Sequence, residues 1–222
     1  MRTIRTCCTW WASNAALLLL LACASAMAQP DLSGVWVVSG STGFPTEPSY
    51  QPEFQKLYQQ RKAEGLKDDP AQYCLPNGVT RITDRPYKIV QTPKLVVLLS
   101  EGNTHSYRRF FLNGRAHPQD LDDSWTGDSI AHWEGDTLVV DTAGFNDRTW
   151  LDNTGKPHSD ALHVVERYRR LDHNRLEVQY TVEDAKALTR PYSFTRVFAL
   201  APNREIQEYF CTEQNIAAQG GK

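Results

Sequence analysis

The sequence predicts an all-β fold, an antiparallel up-and-down barrel of about ten strands with one short N-terminal helix. Two turns and one alternating run carry this prediction. Residues 132–138 and 171–175 place Gly, Asp and Asn between β-rich runs, as tight hairpins require. Residues 175–183 alternate apolar and polar side chains, which is typical of a strand with one buried face. Many short strands with one-sided burial favour a barrel, because closure leaves no open sheet edge.

The predicted elements follow one another along the chain. Residues 32–38 are β-rich and bounded by Gly and Ser, so they predict the first strand. Residues 51–65 predict the helix, because Pro52 suits a first turn, apolar residues recur at helical spacing and Gly65 can end it. Later strands are predicted at residues 87–91, 94–100, 105–112, 129–133, 137–144, 162–171, 175–183, 192–200 and 204–211.

The N-terminal segment, residues 1–28, has the pattern of a signal peptide. Two arginines precede a short apolar core, and residues 26–28 form a small-x-small cleavage sequence. The core is shorter than the roughly 18 residues that a membrane-spanning helix needs. The sequence therefore predicts a soluble periplasmic or secreted protein. As an alternative, residues 20–23 resemble a lipobox, which would leave a lipid anchor on Cys23 and suit an envelope protein that makes a protein contact.

The remaining residues, 29–222, predict a single domain of ordinary size. Two of the 24 basic residues lie in the leader, so 22 face 26 acidic ones. The chain shows no basic patch with interleaved aromatic residues, which nucleic-acid binding would require. It also lacks the motifs of nucleophile elbows, phosphate-binding loops, Cys-x-x-Cys redox sites and His-Glu-x-x-His metal sites. We therefore predict no nucleic-acid partner, no nucleotide-dependent enzyme and no cofactor.

Two cysteines follow the leader, Cys74 in an early loop and Cys211 near the C-terminus. In an oxidising compartment such a pair most simply forms one disulfide, which closes a very long loop. Cys74 lies beside the turn-forming residues 76–78, where a free thiol would be exposed. We therefore predict a disulfide between Cys74 and Cys211, with two buried thiols as the alternative.

The first predicted strand carries the pattern Gly34-x-Trp36. This pattern resembles the start of a lipocalin or calycin barrel, in which the Trp closes one end and an Arg from a late strand packs over its ring. Arg196 is the candidate partner, because strand alternation places it on the bulky apolar face of residues 192–200.

Residues 31–211 as a whole resemble an uncharacterised family of secreted bacterial lipocalin-like proteins. Residues 133–140 and 157–163 carry this resemblance. The resemblance implies the barrel fold and implies no particular activity.

The main candidate site is His158-x-Asp160-x-x-His163-x-x-Glu166. Two imidazoles and two carboxylates can form a general acid/base set or bind a divalent metal. Strand alternation places His163 and Glu166 on opposite faces, and the spacing matches no zinc signature. We therefore name all four as candidate catalytic residues and predict no metal. The alternative is a capping loop with solvated polar residues.

Glu166 shares its predicted face with Val164 and Tyr168, so we expect it to point into the barrel. A buried carboxylate must find a partner or take up a proton. A pair with Arg196 would make both residues structural. An acidic Glu166 that faces a ligand would instead transfer protons.

Aromatic residues predicted to face the interior can line a ligand cavity, or they can simply fill the core. These residues are Tyr107, Phe111, Tyr168, Tyr180, Phe194 and Phe198. The candidate ligand-binding residues are Tyr168, Tyr180, Phe194 and Arg196 on strands, and Trp125 and Trp150 on loops.

Two polar loops, residues 115–128 and 146–160, can close the same end of the barrel. The first carries His117 and a group of carboxylates that can also coordinate calcium, although not in the order of a calcium-binding loop. If the loops converge, they form a rim site from His117, Asp120, Trp125, Trp150, His158 and Asp160.

Two functions are compatible with these patterns. The first is a periplasmic or secreted barrel that binds a small, partly apolar molecule in its interior. The alternative is an enzyme on the same scaffold, an isomerase, lyase, cyclase or hydrolase. Its candidate acid/base residues at the barrel mouth are His117, His158, Asp160, His163 and Glu166.

Overall fold

The computed structural model describes residues 29–41, 43–102 and 106–211, and these form a closed barrel. Its elements are β1 (Gly34–Ser39), α1 (Pro52–Ala63), β2 (Tyr87–Gln91), β3 (Leu95–Ser100), β4 (Tyr107–Phe111), β5 (Asp128–Glu134), β6 (Thr137–Ala143), β7 (His163–Arg170), β8 (Arg175–Glu183) and β9 (Tyr192–Leu200), with a 3₁₀ turn at Pro70–Tyr73. The barrel closes because β9 pairs with both β8 and β1. The predicted all-β barrel with a short helix is confirmed, whereas the predicted leader and Cys23 lie outside the described residues.

One pair of neighbouring strands departs from the predicted antiparallel order. β4 and β5 are parallel, and they share only the pairs of Phe110 with Ser129 and Phe111 with Ile130. Parallel neighbours need a connection that returns to the starting end of the sheet. Residues 112–127, which we call the strap, make this return and contact the outer side of the wall.

The expected tenth strand at residues 204–211 does not form in the described structure. Side-chain contacts hold this segment instead: Arg204 pairs with Glu101 at 2.7 Å, and Cys211 forms the predicted disulfide with Cys74. The disulfide prediction is therefore confirmed. Arg196 consequently lies in the last strand of the barrel.

Trp36 is fully buried in the barrel core. Its indole Nε1 donates to the backbone oxygen of Leu32 at 2.9 Å. The guanidinium over the Trp36 ring belongs to Arg170, 5.4 Å from the ring centre. The prediction that Arg196 packs over Trp36 was wrong, because the Arg196 side chain lies against the rings of Tyr180 and Phe194.

The inward faces follow the predicted alternation on β7, whereas Tyr107 and Phe111, which were expected to face the interior, lie on the outer face of β4 because Arg108 and Phe110 take the inner one. On β7 the residues Val164, Glu166 and Tyr168 are buried, while His163 on the other face is partly exposed. Among the described residues, no helix combines the length and the apolar character needed to cross a bilayer.

Candidate functional site

A cleft opens in the barrel wall where β4 and β5 separate. The two strands share fewer residue pairs than any other neighbours in the described barrel. The opening, which we call the wall cleft, has a volume of about 490 Å³. Small-molecule sites usually measure roughly 300–1,000 Å³. The wall cleft is lined by Pro76, Ser106, Tyr107, Arg108, Arg109, Phe111, Ser124, Trp125, Thr126, Gly127, Asp128 and Ser129.

Arg108 lies at the floor of the wall cleft and joins four strands. Its Nη1 donates to Glu166 Oε1 at 2.9 Å, and its Nη2 donates to Glu166 Oε2 at 2.5 Å. Nη2 also donates to Ser129 on β5 at 3.3 Å and to Thr142 on β6 at 3.0 Å. These side-chain bonds connect β4 to β5, β6 and β7 at the level where the backbones of β4 and β5 have separated.

The buried positive charge of Arg108 is neutralised by the carboxylate of Glu166. Burial alone would lower the pKa of Arg108, but the adjacent Glu166 carboxylate outweighs burial and raises it. Glu166 also accepts a hydrogen bond from the Tyr168 hydroxyl at 2.8 Å. Glu166 is 0% exposed, so it supports the floor from behind and does not face the cleft.

Aromatic rings and guanidinium groups form the walls of the cleft. Tyr107 is 55% exposed, which is high for a large ring. The guanidinium of Arg109 lies 5.4 Å from the ring centre of Phe111, and that of Arg148 lies 4.5 Å from the ring centre of Trp125. At these distances a cation is attracted to the face of the ring, so each guanidinium is held beside a cleft ring.

Gly127 allows the strap to enter β5 at the edge of the cleft. Its φ is +70°, in the left-handed region that favours glycine. A Cβ on Gly127 would lie 2.7 Å from Thr142 Cγ2 and 2.8 Å from the backbone oxygen of Ala143. A side chain at this position would therefore displace the strap.

The strand residues predicted to bind a ligand pack against one another inside the barrel. Tyr168 and Tyr180 are 0% exposed and Phe194 is 5% exposed. The rings of Tyr180 and Phe194 stack at 4.7 Å, and Tyr168 lies 5.7 Å from Phe110. A side chain at 0% exposure touches no space that a water molecule could enter. Tyr168 and Tyr180 therefore pack as core side chains, as the alternative interpretation expected, and the ligand-binding role of these residues stays a prediction.

Arg196 and Glu166 do not pair, contrary to the sequence expectation. Arg196 Nη1 donates to the backbone oxygen of Thr80 at 2.5 Å and lies 3.2 Å from Asp84 Oδ1. Burial raises the pKa of Asp84 to about 6, against the opposing effect of Arg196. Glu166 pairs with Arg108, because β4 and β7 both turn these side chains into the same level of the interior.

His117 and His163 come together on the outer side of the wall. His117 Nε2 and His163 Nε2 lie 3.0 Å and 2.9 Å from the same Asp141 oxygen, Oδ1. His117 Nδ1 lies 2.7 Å from Asp128 Oδ2, and His163 Nδ1 lies 3.2 Å from Glu183 Oε2. We call these five residues the histidine chain. It links the strap to β5, β6, β7 and β8.

Both rings of the histidine chain have a carboxylate at each nitrogen. A neutral imidazole has a single N–H, so the His163 ring can donate to both of its carboxylates only when it is protonated. Burial alone would lower the pKa of His163, but Asp141 and Glu183 outweigh it and raise that pKa. Among the described residues, no group of three or more His, Cys, Asp or Glu side chains is arranged to hold a metal ion.

His158 and Asp160 lie apart from the histidine chain. His158 is buried: its Nε2 lies 2.6 Å from the Thr149 hydroxyl, and its Nδ1 donates to the backbone oxygen of Ser159 at 2.9 Å. Burial lowers the pKa of His158. Asp160 is exposed and accepts a hydrogen bond from Lys186 at 2.6 Å. The four-residue motif predicted from the sequence therefore does not form one site.

The expected rim site is also divided. Trp125 lines the wall cleft, while the buried Trp150 packs under the guanidinium of Arg61, 5.0 Å from the ring centre. Asp120 is exposed on the strap. Trp150 and His158 both lie near Arg61, but Trp125 and Asp120 lie elsewhere, so the six expected residues do not form one set of catalytic groups.

Sequence reasoning missed Arg108, Arg148 and Asp141. Strand alternation places Arg108 on the same face as Phe110, so the sequence already indicated that the two side chains point to the same side of the sheet. Asp141 gave a weaker signal, since an isolated polar residue on the outer face of a strand is ordinary. Arg148 lies in a loop, where no periodicity indicates its direction.

No protein-family model and no curated protein matches the chain. Among solved structures, the chain resembles the crystal structure of the wild-type fluorescent protein UnaG, with a TM-score of 0.37 and 12% identity over 77% of this chain and 97% of that chain. An asparagine-to-alanine mutant of UnaG has a TM-score of 0.34 and 12% identity, over 78% of this chain and 97% of that chain.

Proposed function

We propose that this protein is exported and binds a small, partly apolar molecule in the wall cleft of its barrel. The observation that carries the proposal is the wall cleft itself, which combines a volume of about 490 Å³ with the rings of Tyr107, Phe111 and Trp125. Ligand sites are typically concave and mostly apolar, with a few polar groups that orient the ligand. Arg108 and Ser129 supply such groups at the floor.

The interior of the barrel offers less support for binding than its wall. The expected ligand-binding rings Tyr168 and Tyr180 are fully enclosed by their neighbours. A ligand at the centre would have to displace close-packed side chains, which costs packing energy. The wall cleft accepts a ligand without that rearrangement.

Export is supported by two observations. The N-terminal 28 residues have the sequence pattern of a signal peptide. The disulfide between Cys74 and Cys211 is of the kind that persists in oxidising compartments. Labelling the C-terminus with an epitope and fractionating the host cells tests this part, and a cytosolic, uncleaved product would contradict it.

Binding is tested with the mature chain and a neutral apolar fluorophore, N-phenyl-1-naphthylamine. We expect saturable binding of one probe per chain. Tyr107→Ala and Trp125→Ala should each weaken it by about tenfold, because each removes an aromatic wall of the cleft. Tyr73→Ala is the matched control, because Tyr73 is 62% exposed but does not line the cleft.

Two results would overturn the binding proposal. One is the absence of saturable binding by the folded wild-type chain. The other is an equal effect of Tyr107→Ala and Tyr73→Ala, which would place the probe elsewhere. Native mass spectrometry of protein purified from its own host would then identify any carried molecule directly.

The enzyme alternative has one point of structural support. His117 contacts Asp128, and Asp128 lines the wall cleft. If the enzyme alternative holds, a molecule that co-purifies with this protein from its own host is converted when the two are incubated. His117→Gln should then abolish the conversion. Recovery of the molecule unchanged after incubation would leave binding as the function.

A further inference from the structure

We infer that the wall cleft is selective for planar apolar molecules that carry an anionic group, such as an aromatic carboxylate or sulfonate. This inference rests on the proposed function, since it specifies the ligand class of the same cleft. It is carried by the charges around the cleft and by the rings that hold them.

The acidic group of the cleft is already neutralised. Among the described lining residues, Asp128 is the single carboxylate. It forms an ion pair with Arg115 and accepts the close contact of His117 at 2.7 Å. These partners lower the pKa of Asp128 although burial opposes them. A cationic ligand would therefore find no uncommitted carboxylate in the lining.

Two guanidinium groups at the cleft are not neutralised. Arg108 is balanced by Glu166, but no carboxylate in the described part of the chain lies within ion-pair distance of Arg109 or Arg148. Both residues are exposed, Arg109 in the lining and Arg148 against the lining residue Trp125. The cleft thus has an excess of positive charge on a chain whose formal net charge is −2.

The positions of these two charges also suit a planar ligand. Each guanidinium lies over a ring, Arg109 over Phe111 and Arg148 over Trp125, which restricts its movement. A guanidinium has a planar fork of donors that matches a carboxylate or sulfonate. The ring of Phe111 also carries Arg115, 4.1 Å from its centre. An aromatic anion can therefore stack on the exposed ring of Tyr107 and hydrogen-bond to Arg109, which lies on the same face of β4.

The test compares two fluorophores that share their ring systems and differ in one sulfonate. These are 8-anilinonaphthalene-1-sulfonate and the neutral N-phenyl-1-naphthylamine. With the mature wild-type chain we expect the sulfonate to bind about tenfold more tightly, and the preference to decline with added salt. Displacement of the sulfonate by 1-naphthoate but not by 1-naphthalenemethanol would extend the result to carboxylates.

Two variants test whether Arg109 and Arg148 bind the negatively charged group of the ligand. Arg109→Gln and Arg148→Gln should each reduce the preference for the sulfonate by about threefold or more, while the affinity for the neutral amine changes by less than about twofold. Arg190→Gln is the matched control, because Arg190 is exposed, does not line the cleft and carries the same charge. Near-ultraviolet circular dichroism confirms that each variant is folded.

The outcomes separate this inference from the proposed function. Equal affinity of the wild-type chain for both fluorophores would overturn the charge selectivity and leave binding intact. Saturable binding of neither fluorophore would overturn both. A preference for the sulfonate that Arg190→Gln reduces as much as Arg109→Gln would also overturn the inference, because the effect would then come from net charge alone.

Discussion

Arg108 and Glu166 form a two-point ion pair inside the barrel, with N–O distances of 2.9 Å and 2.5 Å. The pair connects β4 to β7 across the two strands that lie between them. Ser129 and Thr142 on those strands bond to the same Arg108 Nη2. The wall cleft can therefore open on the outside while its floor stays closed.

Replacing Glu166 by Gln should destabilise the protein by about 3–5 kcal/mol, because the buried Arg108 charge would lose its counter-charge. Urea unfolding at neutral pH measures this loss. The double variant Arg108→Met with Glu166→Leu should lose less, since it leaves no unpaired charge. A loss below about 1 kcal/mol for Glu166→Gln would show that the pair does not hold the floor together.

Gly127→Ala should destabilise the protein and weaken probe binding, because the new Cβ would collide with β6 and displace the strap. Gly135→Ala is the matched control: Gly135 has a similar φ of +62°, but a Cβ there meets nothing within 4 Å. Both variants carry a backbone cost of about 1–3 kcal/mol. Thermal unfolding should show a larger loss for Gly127→Ala, and equal losses would disprove the collision.

The histidine chain should stabilise the strap more at mildly acidic pH than at alkaline pH. The pKa of His163 is raised in the folded state, so its contribution is fully present below the unfolded value of about 6.5 and is lost as the pH rises through the folded value. Hydrogen exchange of strap amides, corrected for intrinsic rates, should show this loss. His163→Gln should remove it, and the exposed His132→Gln should not.

His158 should have the opposite pH dependence. Burial lowers its pKa in the folded state, so its contribution is present above about 6.5 and is lost as the pH falls through the folded value. His158→Ala should destabilise the protein by about 1–3 kcal/mol, because the Thr149 hydroxyl loses its buried partner. Probe binding by the folded variant should stay unchanged, and a tenfold loss of binding would restore His158 as a site residue.

Removing the disulfide with Cys74→Ser and Cys211→Ser should lower the free energy of unfolding by roughly 2–5 kcal/mol. The expected size follows from the large separation of the two cysteines, 137 residues. The ion pair of Arg204 with Glu101 holds the same segment and should limit local fraying. Equal unfolding midpoints with and without a reducing agent would contradict the prediction.

The alternation of side chains along a strand was predictable, because it is a local property, but on β4 the face that points inward was predicted wrongly. The sequence placed Glu166 inward and His163 outward on one strand, and the structure agrees. The partners of these residues were not predictable. Glu166 pairs with Arg108, 58 positions away, and His163 shares Asp141 with His117. Such pairs depend on how the strands are ordered and aligned around the barrel.

The error at Arg196 has the same origin. Its inward direction was predicted correctly, but its neighbours depended on the residues that reach the same level of the barrel. The segment at residues 204–211 was expected to pair as a strand, but side-chain contacts and the disulfide hold it against the barrel. The strand composition of that segment therefore did not determine its structure.

By itself the sequence determined the barrel class, the helix, the faces of β7 and the joining of Cys74 to Cys211, because these follow from local periodicity, turn composition and cysteine number. Only the tertiary structure decided where the wall cleft opens. The parallel pairing of β4 with β5 opens the wall, and the return of the strap brings Trp125 to that opening. Both depend on contacts between segments far apart in the chain, which no local pattern records.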